Sequence, residues 1–153
     1  MENRWNIRDI NPIINSSFPT DLVTVGNKVY FIADDGTHGK EVWSTDGTSS
    51  GTAITTDIVV GAGHPQANNL NAVGNYLFFV ADDGVNGVEL FRSDATATMP
   101  VIELVEIFAD TFGSTPTDFI FLNDDLYFNA NSGGVGYEMW KANASDGNVA
   151  ILK

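Results

Sequence analysis

The sequence contains three copies of one segment, and this repeat constrains the fold more than any other feature. Glu41-Val42-Trp43 aligns with Glu89-Leu90-Phe91 and with Glu138-Met139-Trp140, at offsets of 48 and 49 residues. Two further sets of residues keep the same offsets: Phe31, Phe79 and Phe128, and Leu22, Leu70 and Phe119. Repeats of this length are typical of folds in which one small unit is stacked on the next. We therefore expect three equivalent units that pack side by side.

The first copy shows the pattern of four short β-strands. Its β-branched and aromatic residues fall in four runs, at residues 22–25, 28–33, 40–44 and 52–58. Gly, Asn and Asp separate these runs, as they do in the turns between antiparallel strands. No apolar period of about 3.6 residues persists long enough for a helix. The predicted fold class is all-β, with one four-stranded antiparallel sheet in each copy.

The second strand of each copy is apolar at successive positions rather than at alternate ones, as residues 29–33, 76–80 and 126–128 show. A strand with one face in water alternates, so a continuous apolar run indicates that both faces are covered. Parallel sheets also bury both faces, but they need crossover helices, which this pattern lacks. A β-propeller covers both faces because each blade lies between two others, and its blades hold four strands in about 45 residues. We expect residues 29–33, 77–81 and 126–130 to be the most buried segments at their apolar positions.

The repeat divides a single domain, residues 1–153, into three blades at residues 11–58, 59–107 and 108–153. Residues 5–10 align with the fourth strand of the first copy, so they are predicted to form a strand that completes another blade. Propellers have about four to eight blades, and three cannot close around a channel without gaps. We expect the chain to form half of a six-bladed ring that is closed by homodimerisation. The alternative is three consecutive blades of a longer propeller.

The chain resembles a known repeat family over essentially its whole length, and the first copy carries the family's motif in complete form. Residues 41–52 read EVWSTDGTSSGT, which resembles the bacterial family named for its Glu-Leu-Trp-x-x-Asp-Gly-Thr (ELWxxDGT) motif. The second copy lacks the Gly of the motif, and the third lacks both its Asp and its Gly. The resemblance implies propeller-forming modules of large exported or cell-surface proteins, with no general activity assigned. It therefore implies an architecture and, for function, surface binding.

The composition limits the partners and leaves the compartment open. Twenty Asp and Glu against seven Lys and Arg give a net charge of −13, which repels nucleic acid and anionic membranes. No apolar run approaches the roughly 20 residues of a membrane helix. The chain has no cysteine, so disulfides and thiolate metal sites are excluded. The first residues do not resemble a signal peptide; we expect either a cytoplasmic protein or a piece of a longer one, whereas the family resemblance implies an exported or surface parent.

Two positions recur in all three copies and are candidates for a structural role. Glu41, Glu89 and Glu138 each follow a turn, where a carboxylate can accept hydrogen bonds from otherwise buried backbone amides. Trp43, Phe91 and Trp140 share one position in mid-strand. Aromatic rings there can pack between blades or stack on a sugar, and their recurrence favours packing.

Two acidic turns are candidates for a calcium site. Asp34 and Asp35 precede Glu41 by a few residues, and Asp82 and Asp83 stand in the same relation to Glu89. Clustered carboxylates on a Gly-containing loop can bind Ca²⁺, although the spacing matches no complete calcium-loop motif. Asp and Gly are also the residues that tight turns prefer. Calcium is the one cofactor that the sequence suggests.

No catalytic constellation is present in the sequence. His38 and His64 lie at different repeat positions and have no spaced partner, and no nucleophile, zinc or phosphate-binding motif occurs. The function predicted is a non-catalytic binding or interaction module for a protein or carbohydrate. The alternative is a purely structural, self-assembling propeller fragment, and an enzyme is the least favoured reading.

Overall fold

The computed structural model describes residues 7–12, 16–59, 65–97, 102–105, 107–108 and 112–152. These residues form three separate four-stranded antiparallel sheets and no helix, which confirms the all-β prediction. In each sheet the strands are neighbours in the order in which they follow along the chain. A search of this part of the chain finds no helix that is long and apolar enough to cross a membrane.

Each sheet falls within one copy of the repeat. The first sheet comprises β1 (Thr20–Val25), β2 (Lys28–Asp34), β3 (Lys40–Thr45) and β4 (Ala53–Ile54). The second comprises β5 (Asn68–Val73), β6 (Tyr76–Asp82), β7 (Val88–Asp94) and β8 (Ile102–Val105). The third comprises β9 (Thr117–Leu122), β10 (Asp125–Asn131), β11 (Tyr137–Asn143) and β12 (Val149–Ile151).

The first strand of each sheet carries the same irregularity. Asp21, Asn69 and Asp118 adopt positive φ angles of 53°, 54° and 58° at equivalent positions. Asp and Asn tolerate this left-handed conformation better than other residues with a side chain. The strand register shifts at these sites, as a β-bulge requires. The bulge also joins neighbouring sheets, because the backbone amide of Asn69 donates to the carboxylate of Asp21 over 3.0 Å.

The first and second sheets pack face to face through a common apolar cluster. Tyr30 and Ile32 of the first sheet meet Leu77 and Phe79 of the second, and all four are almost fully buried. The ring of Phe79 stacks on that of Phe91 with 5.8 Å between centroids and 13° between planes. Large aromatic rings at such an interface remove the most apolar surface from water.

The second and third sheets pack in the same way. Phe78 and Leu90 of the second sheet meet Leu126 and Phe128 of the third. Every residue from Leu77 to Ala81 is buried, because β6 lies between two sheets. The continuous apolar pattern of this strand therefore has the cause that we predicted from the sequence.

The third sheet is covered on one face only. Leu126, Phe128 and Ala130 are buried against the second sheet, whereas Tyr127 and Asn129 are half-exposed on the other face. The prediction of deep burial for residues 126–130 is therefore confirmed for Leu126, Phe128 and Ala130 and is wrong for Tyr127. No described residue forms a sheet against that second face.

The fourth strand of the first sheet is shorter than predicted. Residues 52–58 were expected to be extended, but only Ala53–Ile54 pair with β3. The amides of Thr55 and Thr56 both donate to the carbonyl of Val42, over 2.8 Å and 3.3 Å, which ends the regular ladder. The chain then turns towards Glu41.

The strand predicted at residues 5–10 lies partly outside the described residues. Residues 7–10 form no strand within this chain. Ile10 instead packs against Phe31 and Trp43, on the face of the first sheet that points away from the second. Pairing with another blade would need a partner, so that part of the expectation stays a prediction.

The central position of β6 leads to a stability prediction. We expect Phe79→Ala to lower the free energy of unfolding by about 3–5 kcal/mol, because the cavity would lie between two packed sheets. Val85→Ala is the control, since Val85 is 68% exposed in a turn of the same sheet. Urea unfolding measures both variants. A loss below about 1 kcal/mol for Phe79→Ala would contradict a central placement of the strand.

Candidate functional site

Glu41 holds the segment that leaves its own sheet for the next one. Its side chain is fully buried. One carboxylate oxygen accepts from the Thr56 hydroxyl over 2.5 Å, and the other accepts from the Ile58 amide over 3.0 Å. Ile58 in turn packs into the apolar cluster between the first and second sheets. The carboxylate thus satisfies polar groups that this packing removes from water.

Glu89 does the same between the second and third sheets. It accepts from the hydroxyl of Ser114 over 2.5 Å and from the Ser114 amide over 2.8 Å. The backbone amides of Ile107 and Phe108 also donate to it. Gly113 makes this approach possible, because a Cβ there would lie 2.4 Å from the backbone of Val88. Glu89 therefore connects the exit of one sheet with the entry of the next.

Burial raises the pKa of both carboxyl groups above the ordinary glutamate value, although the hydrogen bonds to each one oppose the shift. A buried carboxylate without a cationic partner is costly in its ionised form. For Glu41 the bonds come from Thr56 and Ile58, and for Glu89 the strongest come from Ser114. Glu41 and Glu89, each with the donors named above, therefore form structural clamps. In each clamp a buried carboxylate of one sheet is hydrogen-bonded to the segment that leads into the next sheet.

Glu138 occupies the third equivalent position but has different surroundings. It is half-buried on β11 and makes no side-chain hydrogen bond with any described residue. The repeat thus predicts three equivalent glutamates, but only Glu41 and Glu89 have hydrogen-bond donors among the described residues. The third lies on the sheet that is followed by no other sheet among the described residues.

The acidic turns use their carboxylates to cap their own backbones. Asp34 accepts from the Gly36 amide over 2.7 Å, and Asp35 accepts from the amides of Thr37 and His38. In the second copy Asp82 and Asp83 accept from the equivalent amides of Gly84, Val85 and Asn86. Glu41 and Glu89 are turned away into the clamps described above. Within the described residues, no three acidic or histidine side chains are grouped as metal ligands.

His38 adds an ion pair to the first acidic turn. Its Nδ1 lies 2.8 Å from the Asp35 carboxylate. The hydrogen bond that His38 donates to the Asp35 carboxylate raises the pKa of His38. Burial raises the pKa of Asp35, but the bonds from His38 and Thr37 outweigh burial and lower it overall. In the second copy, Asn86 takes the place of the histidine and donates to Asp83 over 2.7 Å.

The repeated aromatic position serves packing in the second and third sheets. Phe91 belongs to the cluster between the first two sheets, and Trp140 packs against the cluster between the last two. Trp43 lies on the open side of the first sheet, where it is 4% exposed under Ile10. The Arg8 guanidinium lies 5.9 Å from its ring centroid. Trp43 and Phe91 are buried and Trp140 is half-buried, so all three rings serve packing.

Two polar contacts between sheets were missed from the sequence. The Tyr30 hydroxyl donates to the Ala95 carbonyl of the second sheet over 2.8 Å. Arg92 donates to the equivalent carbonyl, that of Ala144 in the third sheet, over 3.1 Å. Arg92 also pairs with Glu103 over 2.7 Å. Comparison of the repeats identifies the acceptor position, but the donors are different residue types at different repeat positions.

A polar-edged groove runs past the first strands of all three sheets. Its volume is about 620 Å³, and its lining includes Thr24, Asn71 and Phe121 from β1, β5 and β9. The first strands therefore lie on the side where the three sheets converge. This groove is the candidate ligand site of the described residues.

The comparisons with known proteins bear on the fold alone. No protein-family model matches the sequence, and no curated protein matches it. The chain is similar to a solved, propeller-containing protein from a structural and mechanistic analysis of two prolyl endopeptidases. The TM-score is 0.60 and the sequence identity is 14%, over 86% of this chain and 19% of that chain. The match supports sheets arranged like propeller blades.

The raised pKa of Glu89 predicts a pH dependence of stability. The folded protein keeps this proton at pH values where the unfolded chain, with a glutamate pKa near its ordinary 4.5, has lost it. The stabilisation that this proton gives the folded state is fully present at pH values below the ordinary glutamate pKa. It is lost as the pH rises through the pKa of Glu89 in the folded state. We expect the wild type to lose stability relative to Glu89→Gln over that window, because glutamine does not titrate.

Urea unfolding at a series of pH values measures this difference. Asp124→Asn is the control, since it neutralises an exposed carboxylate in a hairpin turn. A difference between the wild type and Glu89→Gln that does not change with pH would contradict an elevated folded-state pKa.

The calcium hypothesis is tested by the melting temperature. Because the Asp34, Asp35, Asp82 and Asp83 carboxylates already cap their own turns, we expect millimolar Ca²⁺ to leave the melting temperature unchanged. A cation that binds the folded state would raise it by mass action. A rise that is abolished in a Asp82→Asn/Asp83→Asn double variant would contradict the expectation and establish the site.

Proposed function

We propose that this chain is a non-catalytic interaction module whose two end faces bind a second copy, so that two chains complete a six-bladed β-propeller. The observation that carries the proposal is the outer face of the third sheet, which points away from the second sheet. It carries the apolar side chains of Ile120, Leu122, Tyr127 and Met139, together with Asn129 and the ion pair between Lys141 and Asp125. The equivalent faces of the first two sheets are each buried under the sheet that follows.

Residues at equivalent repeat positions show how exposure differs between the third sheet and the first two. Tyr30 and Phe78 are buried under the next sheet at 2% and 1% exposure, whereas the equivalent Tyr127 is half-exposed. Met139, equivalent to the fully buried Val42 and Leu90, is 58% exposed. Neighbouring Ile120 and Leu122 add to the same apolar patch. Contiguous exposed apolar surface of this kind is typical of interaction sites.

The outer face of the first sheet supplies the complementary surface: Leu22 is exposed there and Val29 is half-buried, whereas Phe31 and Trp43 are already buried beside Ile10 of the same chain. Leu22 is 65% exposed, whereas the equivalent Leu70 is buried against the preceding sheet. A groove of about 400 Å³ on this face is lined by Ile10, Leu22 and Phe31, among others. This face has the residue pattern that sheets two and three present to the sheet before them.

A ring of two chains satisfies both faces at once. The third sheet of each copy would cover the first sheet of the other, which gives two identical interfaces about a two-fold axis, the commonest oligomer symmetry. Six blades lie within the range of about four to eight that propellers use. The alternative occupant is a further blade of a longer chain, as in propellers formed by one polypeptide.

The groove past the first strands is where a further ligand would bind. In a closed ring the grooves of two copies would face each other across a central channel, where propellers commonly bind their ligands. The resemblance to the ELWxxDGT repeats favours a surface-binding role of this kind. A glycan array probes it: a reproducible signal that is lost in Asn71→Ala supports ligand binding, and no signal favours a purely structural assembly.

The ring predicts a defined mass in solution. We expect light scattering after size-exclusion chromatography to give about twice the chain mass of 16.5 kDa. Ile120→Glu and Met139→Glu should convert the dimer to a monomer, because each buries an unpaired charge in the interface. Val85→Glu, at an exposed apolar residue outside both end faces, should leave the dimer intact. A wild-type monomer or open-ended aggregation would contradict the proposal.

A further inference from the structure

Both interfaces inside the chain contain a buried glutamate that accepts from the amide of an equivalent isoleucine, Ile58 or Ile107. The serine donor occurs in the second interface only, because Pro65 takes its position in the first. In the second interface, Glu89 accepts from the amide and the hydroxyl of Ser114. Ser17 is equivalent to Ser114, since their carbonyls accept from the amides of Asp34 and Asn131 with the same 2.9 Å geometry. The Ser17 hydroxyl makes no hydrogen bond with any described residue and lies at the edge of the outer face of the first sheet.

Ile10 repeats the second donor of the clamp. The amide of Ile58 donates to Glu41, and the amide of Ile107 donates to Glu89. Ile10 holds the same repeat position, and its side chain packs on the first sheet. Its amide has no acceptor among the described residues. The clamp that precedes the first sheet thus has two donors and lacks a carboxylate.

Glu138 is the matching acceptor at the other end of the chain. It occupies the position of Glu41 and Glu89 on the third sheet, and it lacks a donor within the described residues. An unpaired carboxylate and two unpaired donors therefore lie on the two faces that the proposed ring brings together.

A second polar contact between sheets keeps its acceptor position in both interfaces, although its donor is Tyr30 in the first and Arg92 in the second. The Tyr30 hydroxyl donates to the Ala95 carbonyl across the first interface. Tyr127 is equivalent to Tyr30, and Gly47 is equivalent to Ala95. Ala95 and Ala144 are buried because a preceding sheet packs on their turns, whereas Gly47 is exposed. The repeat thus leaves one hydroxyl and one carbonyl open at opposite ends.

We infer that the ring is closed by these groups: Glu138 of one copy accepts hydrogen bonds from Ser17 and Ile10 of the second copy, and Tyr127 donates to the carbonyl of Gly47. This inference rests on the proposed ring and specifies its register. The apolar faces supply the area, and the clamp selects one alignment among those that the apolar contact permits. Each contact occurs twice in a ring, which multiplies its effect on assembly.

The test is a double-mutant cycle on the dissociation constant of the dimer, measured by sedimentation over a dilution series. Glu138→Ala and Ser17→Ala are each expected to raise the constant by about tenfold or more, as loss of a charged hydrogen bond does. The double variant should raise it by less than the product of the single effects, because both remove one contact. Glu138→Gln keeps an acceptor oxygen and should have a smaller effect.

Matched controls separate the clamp from general damage. Asp124→Ala removes an exposed carboxylate outside the clamp, and it should leave the constant unchanged. Tyr127→Phe should raise it, whereas Tyr137→Phe should not, because the Tyr137 hydroxyl already bonds to Thr115 within its own chain over 2.6 Å. Far-UV circular dichroism checks that each variant is folded.

The outcomes distinguish the clamp from the ring. If the wild type dimerises and Ile120→Glu disrupts it, but the effects of Glu138→Ala and Ser17→Ala multiply independently or match the controls, the clamp is wrong and the ring stands. If the wild type is monomeric, the ring fails and the clamp fails with it. Coupled losses in a dimer that also depends on Ile120 support both.

Discussion

The face-to-face burial of one sheet against the next is the interaction on which the rest of this structure depends. Each sheet carries large apolar side chains on both faces, and burial of one such side chain contributes about 1.5–3 kcal/mol. The second sheet is covered on both sides, and β6 has no exposed residue along its length. A single sheet of this kind would expose apolar side chains to water on both faces, which is unfavourable. The fold is therefore a stack, and a stack of three leaves two outer faces.

The buried glutamates follow from that packing. Where the chain passes from one sheet to the next, apolar contacts remove backbone amides from water, and those amides require an acceptor. Glu41 and Glu89 supply it, although burial raises the pKa of both carboxyl groups. The apolar faces would tolerate some sliding, whereas a carboxylate bonded to named amides does not. The clamp therefore fixes how successive sheets are aligned.

Much of the fold and part of the site follow from the repeat alone. Residues 29–33, 77–81 and 126–130 were predicted as buried strands from their continuous apolar pattern, which depends on composition over a few residues. The expected burial of Tyr127 was wrong because burial depends on whether a neighbouring sheet is present, which a local pattern cannot encode. The partners of the buried glutamates lie 15 to 25 residues away in the chain, so the sequence indicated the acceptor but not its donors.

The acidic turns illustrate a different limit. Asp35 and Asp83 suit either a cation or a tight turn, and the sequence does not separate the two readings because both need clustered oxygen atoms on a Gly-containing loop. The structure directs these oxygens at the amides of their own turns. The role of Arg92 could not be predicted from the sequence either, because the carbonyl to which it donates belongs to the next copy of the repeat.

By itself the sequence determined that this protein has three equivalent, four-stranded antiparallel units, because strand periodicity and turn chemistry act over a few residues and recur at a fixed offset. Only the tertiary structure decided which members of each repeated set are buried. Glu41 and Glu138, or Tyr30 and Tyr127, are the same residue type at the same repeat position, yet their surroundings differ. The reason is physical: burial and hydrogen bonding are properties of an interface, and the position of a unit in the stack decides whether it has one interface or two.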